Sequence, residues 1–319
     1  MPEAFGELRL ASIKSKYVGG RRVTLRNNEA RTVTLSSALP AYQIDGNDTY
    51  HVEQAYLQDF VPALQRYNYP LVLIHGGGFT GSCWETTPDG RSGWLSNFLQ
   101  RGARVVVLDN VERGRASWCS LPAVWPDAPI LRGEREMWEI FRIGRLAQYE
   151  ERIPFAGTRF PVGSLDAMLC QSVPRWPANS DLAVQTLVDV VRDIGPCVLI
   201  GHSQGGGLAA RVALAYPAIV RGLVLIEPHG LPTIGRGRSI HSPVLIVIGD
   251  YISAVPMWVA LVREMQDYAT AIRDIGAVVD FLDLPARGIN GNSHNPMMDT
   301  NSEEISAMTW DWLISKVPR

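Results

Sequence analysis

Six apolar runs punctuate the chain: Leu71–Ile74, Val105–Leu108, Val198–Ile200, Leu223–Ile226, Val244–Ile248 and Val278–Leu282. Each is continuous rather than alternating, as expected of strands covered on both faces. Helical stretches separate them, which predicts a mostly parallel sheet with helices on both sides, an α/β fold. Residues 8–60 read differently. Arg22-Val23-Thr24-Leu25 and the run Gln54–Val61 alternate polar with apolar residues, predicting an antiparallel start to the sheet. Gly19-Gly20 is the expected turn between Tyr17-Val18 and Arg21-Arg22. One spacing is abnormal: 89 residues separate Val105–Leu108 from Val198–Ile200. A crossover helix needs far fewer, and structureless loops of that length are uncommon. The intervening stretch 116–177, rich in Trp, Pro and Arg and partly helical around Met137–Ile143, is predicted to be an insertion within a single domain spanning 1–319.

Composition changes this picture little. The 319 residues carry a net charge of −2 with 46% apolar residues, ordinary for a globular enzyme. No dense basic run points to nucleic acid, and no apolar stretch approaches the ~18 residues of a membrane span. Met1–Glu7 has neither a basic start nor an apolar core, so the expected location is cytoplasmic, or secreted or periplasmic if a leader has been removed. Cys83, Cys119, Cys170 and Cys197 lack metal-site spacing and establish no disulfide, and Cys197 is expected as a buried thiol. No metal or organic cofactor is expected.

Chemistry enters at the strand ends, where open α/β sheets gather their active groups. Gly201-His202-Ser203-Gln204-Gly205 directly follows the apolar run ending at Ile200 and leads into a small-residue helix, Gly206–Ala215. Glycines flank the serine because a tight strand-to-helix turn leaves no room for side chains, and the serine is exposed at its tip. This is the pattern of the nucleophile elbow of α/β-hydrolases, with Ser203 as nucleophile. His75-Gly76-Gly77-Gly78 follows an earlier strand, as an oxyanion loop does. Backbone amides aimed at a developing oxyanion stabilise acyl transfer; the expected donors are Gly77 and Gln204, with Gly78 as the alternative in the loop. His75 itself reads as structural.

A serine hydroxyl needs a base. Among six histidines, His294 both follows the last strand and lies in a loop. His202 adjoins the nucleophile, but its side chain is expected to turn elsewhere, while His229 and His241 come too early in chain order. Two residues compete as the acid that orients His294. Asp250 follows strand Val244–Ile248, the commoner acid position, and Glu227 follows the strand before it. Spacing does not choose between them.

Several segments together resemble a small branch of bacterial α/β-hydrolase serine esterases: His75–Gly81, Thr87–Trp94, Arg113–Ser117, His202-Ser203-Gln204, Ile226-Glu227-Pro228 and Gly291–His294. The likeness runs from about residue 70 to the C-terminus. That branch takes its acid from a glutamate after the strand following the elbow, so the resemblance implies Ser203 as nucleophile, His294 as base and Glu227 as acid, with Asp250 as the alternative. The chain departs from the branch in its Gly76-Gly77-Gly78 loop and in its Ser203–Gly206 elbow, differences that bear on substrate range.

The insertion is expected to act as a cap. Phe79, Trp84, Trp138, Phe141, Trp258 and Met297 are candidate pocket residues. Arg113 and Arg115 could anchor a substrate carboxylate but read more simply as solvated surface. The expected function is hydrolysis of a carboxylic ester or lactone through an acyl-enzyme. The same triad could serve C–C or amide hydrolysis or a cyclisation, and a non-catalytic small-molecule binder is the remote alternative. The expected partner is a small-molecule ester, with no nucleic acid and no membrane span, and a homodimer is compatible with the sequence.

Overall fold

The structure, a computed structural model, describes residues 7–235 and 237–317. The polar–apolar alternation near the start becomes two long strands, β1 (Leu10–Thr24) and β4 (Thr49–Pro62), paired antiparallel along most of their length. Between them lies a small separate ribbon of β2 (Arg31–Val33) and β3 (Tyr42–Ile44). Gly19-Gly20 is not the expected turn. β1 runs straight through it, with the register unchanged from Val18↔Ala55 to Arg21↔Val52. Gly19 and Gly20 both have positive φ, as does Glu53 opposite, so the ladder is interrupted locally and the chain is not reversed.

The apolar runs form β5 (Leu71–Ile74), β6 (Val105–Asp109), β7 (Cys197–His202), β8 (Val220–Ile226), β9 (Val244–Ile248) and β10 (Val279–Asp283). With β1 and β4 they make an eight-stranded sheet of order β1-β4-β6-β5-β7-β8-β9-β10. β4 meets β6 antiparallel, and from β6 to β10 all neighbours are parallel. The sequence breaks into helices α1 (Trp94–Gln100), α2 (Glu134–Ile140), α3 (Leu165–Leu169), α4 (Ser180–Ile194), α5 (Gln204–Ala215), α6 (Pro256–Asp274) and α7 (Ser302–Lys316).

Alternate strand residues face opposite ways, so each apolar run feeds two cores. Leu73, Val107, Ile200 and Val247 pack with α1 and α7 on one face. Ile74, Val106, Leu199 and Ile246 pack with α4, α5 and α6 on the other. Cys197 is a buried free thiol in this second core. Residues 110–179, between β6 and α4, contain only the short α2 and α3 as α-helices. Among the described residues no helix is long and apolar enough to cross a membrane.

Candidate active site

The end of β7 is as crowded as its glycines require. A Cβ on Gly201 would lie 2.5 Å from the Gly205 carbonyl oxygen, and one on Gly205 would lie 2.5 Å from that of His75. Between them Ser203 adopts φ 55°, ψ −123°, a conformation L-residues hold only when their surroundings enforce it. Its amide donates to the Ile226 carbonyl at 2.9 Å, fixing the turn to β8. Among the described residues the amides of Gly77, Gly78 and Gln204 have no acceptor, so the loop after β5 and the first turn of α5 both present free donors.

His294 lies in the loop after β10 and is almost completely buried. Its Nδ1 donates to Glu227 Oε2 at 2.6 Å, which leaves Nε2 as the ring's acceptor. The ring is held from three sides, by Trp258, His202 and Phe141, and its amide donates to the Phe141 carbonyl at 2.9 Å. Asp250 is elsewhere: its carboxylate accepts from the amides of Tyr251 and Gly291.

Glu227 has positive φ at the end of β8 and is fully buried. Its second oxygen, Oε1, accepts from the Gly249 amide at 2.7 Å and from Arg142 Nη2. Burial works against the charged carboxylate, but Arg142 and His294 outweigh it and hold its pKa down at about 2. Burial also drives His294 below the usual histidine value, outweighing the upward pull of Glu227; Arg142 and Arg132 add to the fall.

Next to His294, Asp299 organises the loop. Its buried carboxylate accepts from Asn292 Nδ2, the Ser293 amide and Ser293 Oγ at 2.7–2.9 Å, and burial raises its pKa to about 7. His75 is structural: Nε2 accepts from the Asn110 amide while Nδ1 donates to the Gly76 carbonyl, and burial with Arg113 brings its pKa down to about 4.

Ser203 and His294 line one cavity of about 160 Å³, together with the Gly76–Gly78 loop. Phe79, Phe141 and Trp258 line it as expected. Trp84, Trp138 and Met297 do not; they are buried in the core, where Trp84 packs on Trp94 and Trp138 on Tyr149. Arg113 is not solvated surface either. It is buried and donates to the carbonyls of Gly77 and Pro174, while Arg115 pairs with Asp109 and Glu85.

Sequence reasoning missed several contributors, His229, Met257 and Leu261 among the lining residues. His202 does not turn away from the site: it lines the cavity and its Nε2 donates to the His294 carbonyl at 2.9 Å. Arg142 lies within the helical stretch predicted at Met137–Ile143, just past the observed end of α2, but nothing in the sequence marks it as buried. Arg132 and Arg175, from the same insertion, also reach the cavity. Among the described residues, no three His, Cys, Asp or Glu side chains gather in a way that could hold a metal ion.

Comparison with known proteins gives the family. A solved structure of a novel bacterial esterase superposes with a TM-score of 0.84 at 32% identity, covering 98% of each chain. A probable secreted lipase, phiG, of Fungal sp. (strain ATCC 74256) is 27% identical over 320 residues, covering 81% of this chain and 85% of that protein. The human (lyso)-N-acylphosphatidylethanolamine lipase is 30% identical over 95 residues, covering 29% of this chain and 25% of that protein. Residues 71–291, which run from β5 through the elbow to the loop carrying His294, match the model of the alpha/beta hydrolase family, and the chain belongs to that family.

Proposed function

We propose that this chain is a serine hydrolase of carboxylic esters or lactones, with Ser203 as nucleophile, His294 as base and Glu227 as the acid that orients it. The observation that carries the reading is the hydrogen bond from His294 Nδ1 to Glu227 Oε2 beside a strained Ser203 in the same cavity. Ser203 Oγ attacks the substrate carbonyl while His294 Nε2 takes its proton. The tetrahedral oxyanion is received by the free amides of Gln204 and Gly77, each such donor being worth about 3–4 kcal/mol in serine hydrolases. Collapse expels the alcohol, which takes the proton from His294, and leaves an acyl-enzyme. Water then attacks with His294 again as base, releasing the acid and restoring Ser203.

In this reading residues 116–177 are the cap. Support comes from Arg132, Ile140, Phe141 and Arg175, which give the cavity part of its wall, and from the Val173 amide, which donates to the Gly78 carbonyl at 2.9 Å. The test is turnover of short and medium p-nitrophenyl esters by wild type and Ser203→Ala, alongside fluorophosphonate labelling. Acyl-length-dependent turnover and labelling, both lost in Ser203→Ala, are the expected outcome. Labelling without any ester turnover would move the chemistry to another bond, and full activity in Ser203→Ala would overturn the assignment.

A further inference from the structure

We propose that the substrate of this site carries a carboxylate a short distance from its ester carbonyl, and that Arg175, assisted by Arg132, binds it. The inference rests on the hydrolase reading of Ser203 and adds a substrate class to it.

The cavity wall has a one-sided charge. Arg132 and Arg175 line it together with three histidines held neutral by burial, and no Asp or Glu does. Arg132 is partly neutralised by Glu136 outside the cavity. Arg175 has no such partner: among the described residues no carboxylate lies within ion-pair distance of it. Its Nη1 makes one long contact, 3.4 Å to Gln204 Oε1, and its Nε is buried with no acceptor. Burial, with Arg132 adding to it and Glu136 opposing in part, disfavours the charged guanidinium. A half-desolvated guanidinium with one long amide contact and an unpartnered buried Nε is an unfavourable arrangement that an anion would relieve. A carboxylate matches its fork by two parallel hydrogen bonds.

Position adds the length constraint. Arg175 Nη1 lies 2.5 Å from where a Cβ on Gly77 would stand, so the absence of a side chain there makes room for the guanidinium. The charged head thus sits against Gly77 and Gln204, the two expected oxyanion residues, and a carboxylate held by it lies only a few bonds from the reacting carbonyl. The lining also includes Phe141, Met257, Trp258 and Leu261, apolar side chains that would receive hydrocarbon. The arginines considered from sequence as carboxylate anchors are unsuited, since Arg113 is committed to two carbonyls and Arg115 to Asp109.

The experiment compares monomethyl succinate, glutarate and adipate with neutral methyl esters of the same chain length, following acid release by wild type, Arg175→Gln and Arg175→Lys. Binding of the same monoesters to Ser203→Ala and to Ser203→Ala/Arg175→Gln is measured by calorimetry. The expected result is a wild-type preference for an anionic ester that falls about 30-fold or more in Arg175→Gln. Neutral-ester turnover stays within a few-fold, and Arg175→Lys recovers part of the preference. Arg175-dependent binding without turnover would sustain the anion site while removing the ester reading. Turnover with neutral esters preferred, an equal loss for both esters in Arg175→Gln, or no Arg175-dependent binding of any monoester would overturn the anion site.

Discussion

Arg142 and Glu227 form a fully buried ion pair on the carboxylate oxygen opposite the one that holds His294. The insertion therefore reaches the acid of the expected triad from behind. Glu227→Gln removes the charge that both Arg142 and His294 face. Loss of the corresponding charge in a serine protease costs about 10⁴ in kcat, and the expected loss here is of order 10³–10⁴. The Arg142 charge is left uncompensated, which typically costs about 3–5 kcal/mol of stability. Asp250→Asn, whose carboxylate accepts only from the Tyr251 and Gly291 amides, should keep its rate within about tenfold. Parallel ester kinetics and urea melts check both; a crippled Asp250→Asn beside an active Glu227→Gln would give the acid role to Asp250.

In the proposed triad, Arg142 also helps to set the pH at which His294 works as base. The reactive form of His294 is neutral, so activity falls as pH drops through its pKa, which lies below the ordinary histidine value. Burial causes most of that fall and the Arg142 charge contributes to it. Arg142→Gln keeps a donor but removes the cation, so the acid limb of kcat/KM should move to higher pH. An unmoved acid limb together with a uniform loss of rate would mean that Arg142 acts through packing alone.

Stability should decline on acidification below neutrality. His75 is held neutral in the fold with a pKa of about 4, and His202 is pushed well below its ordinary value by burial and by His294. Because the folded pKa values are depressed, the stabilisation is full above about pH 6.5 and is lost as the unfolded chain takes up protons that the fold refuses. Each group contributes about 1.4 kcal/mol per pH unit through that window. Asp299 works the other way. With a folded pKa near 7 it keeps a proton that the unfolded chain releases above about pH 4, offsetting about one histidine. Chemical denaturation from pH 7.5 to 4.5 should show a net fall, and Asp299→Asn should make it steeper.

The strand runs, the elbow and the loop after β10 were legible because each rests on local physics: apolar continuity, glycine crowding and chain order. Gly19-Gly20 misled because a glycine pair signals positive φ and not the direction the chain then takes; the pairing of Val18 with Ala55 and Arg21 with Val52 decides that. Trp84, Trp138 and Met297 were misplaced because bulk and apolarity suit a core as well as a pocket. Arg142 and Arg175 were hidden for a deeper reason. Their roles depend on what the insertion packs against after folding, and an arginine destined for burial is spelled no differently from one on the surface.

The glycines around the site divide into those that fill space and those that leave it open. A Cβ on Gly205 would stand 2.5 Å from the His75 carbonyl oxygen and 2.7 Å from that of Ile74. Backbone on both sides cannot give way without moving the oxyanion loop away from the elbow. Gly205→Ala should therefore cost about 1–3 kcal/mol or more, as overpacking does, and should lower kcat through misplacement of Gly77 relative to Ser203. Gly78→Ala meets nothing within 4 Å and has no positive φ, so it should melt like wild type. Gly77→Ala falls between them: its Cβ meets the end of the Arg175 side chain at 2.5 Å and Gln204 Oε1 at 3.1 Å, side-chain ends that can swing aside. That variant should fold, retain neutral-ester turnover to a larger extent than Gly205→Ala, and lose discrimination for anionic esters in the direction of Arg175→Gln. Thermal melts and paired-ester kinetics on the three alanine variants separate crowding of the backbone from displacement of one guanidinium.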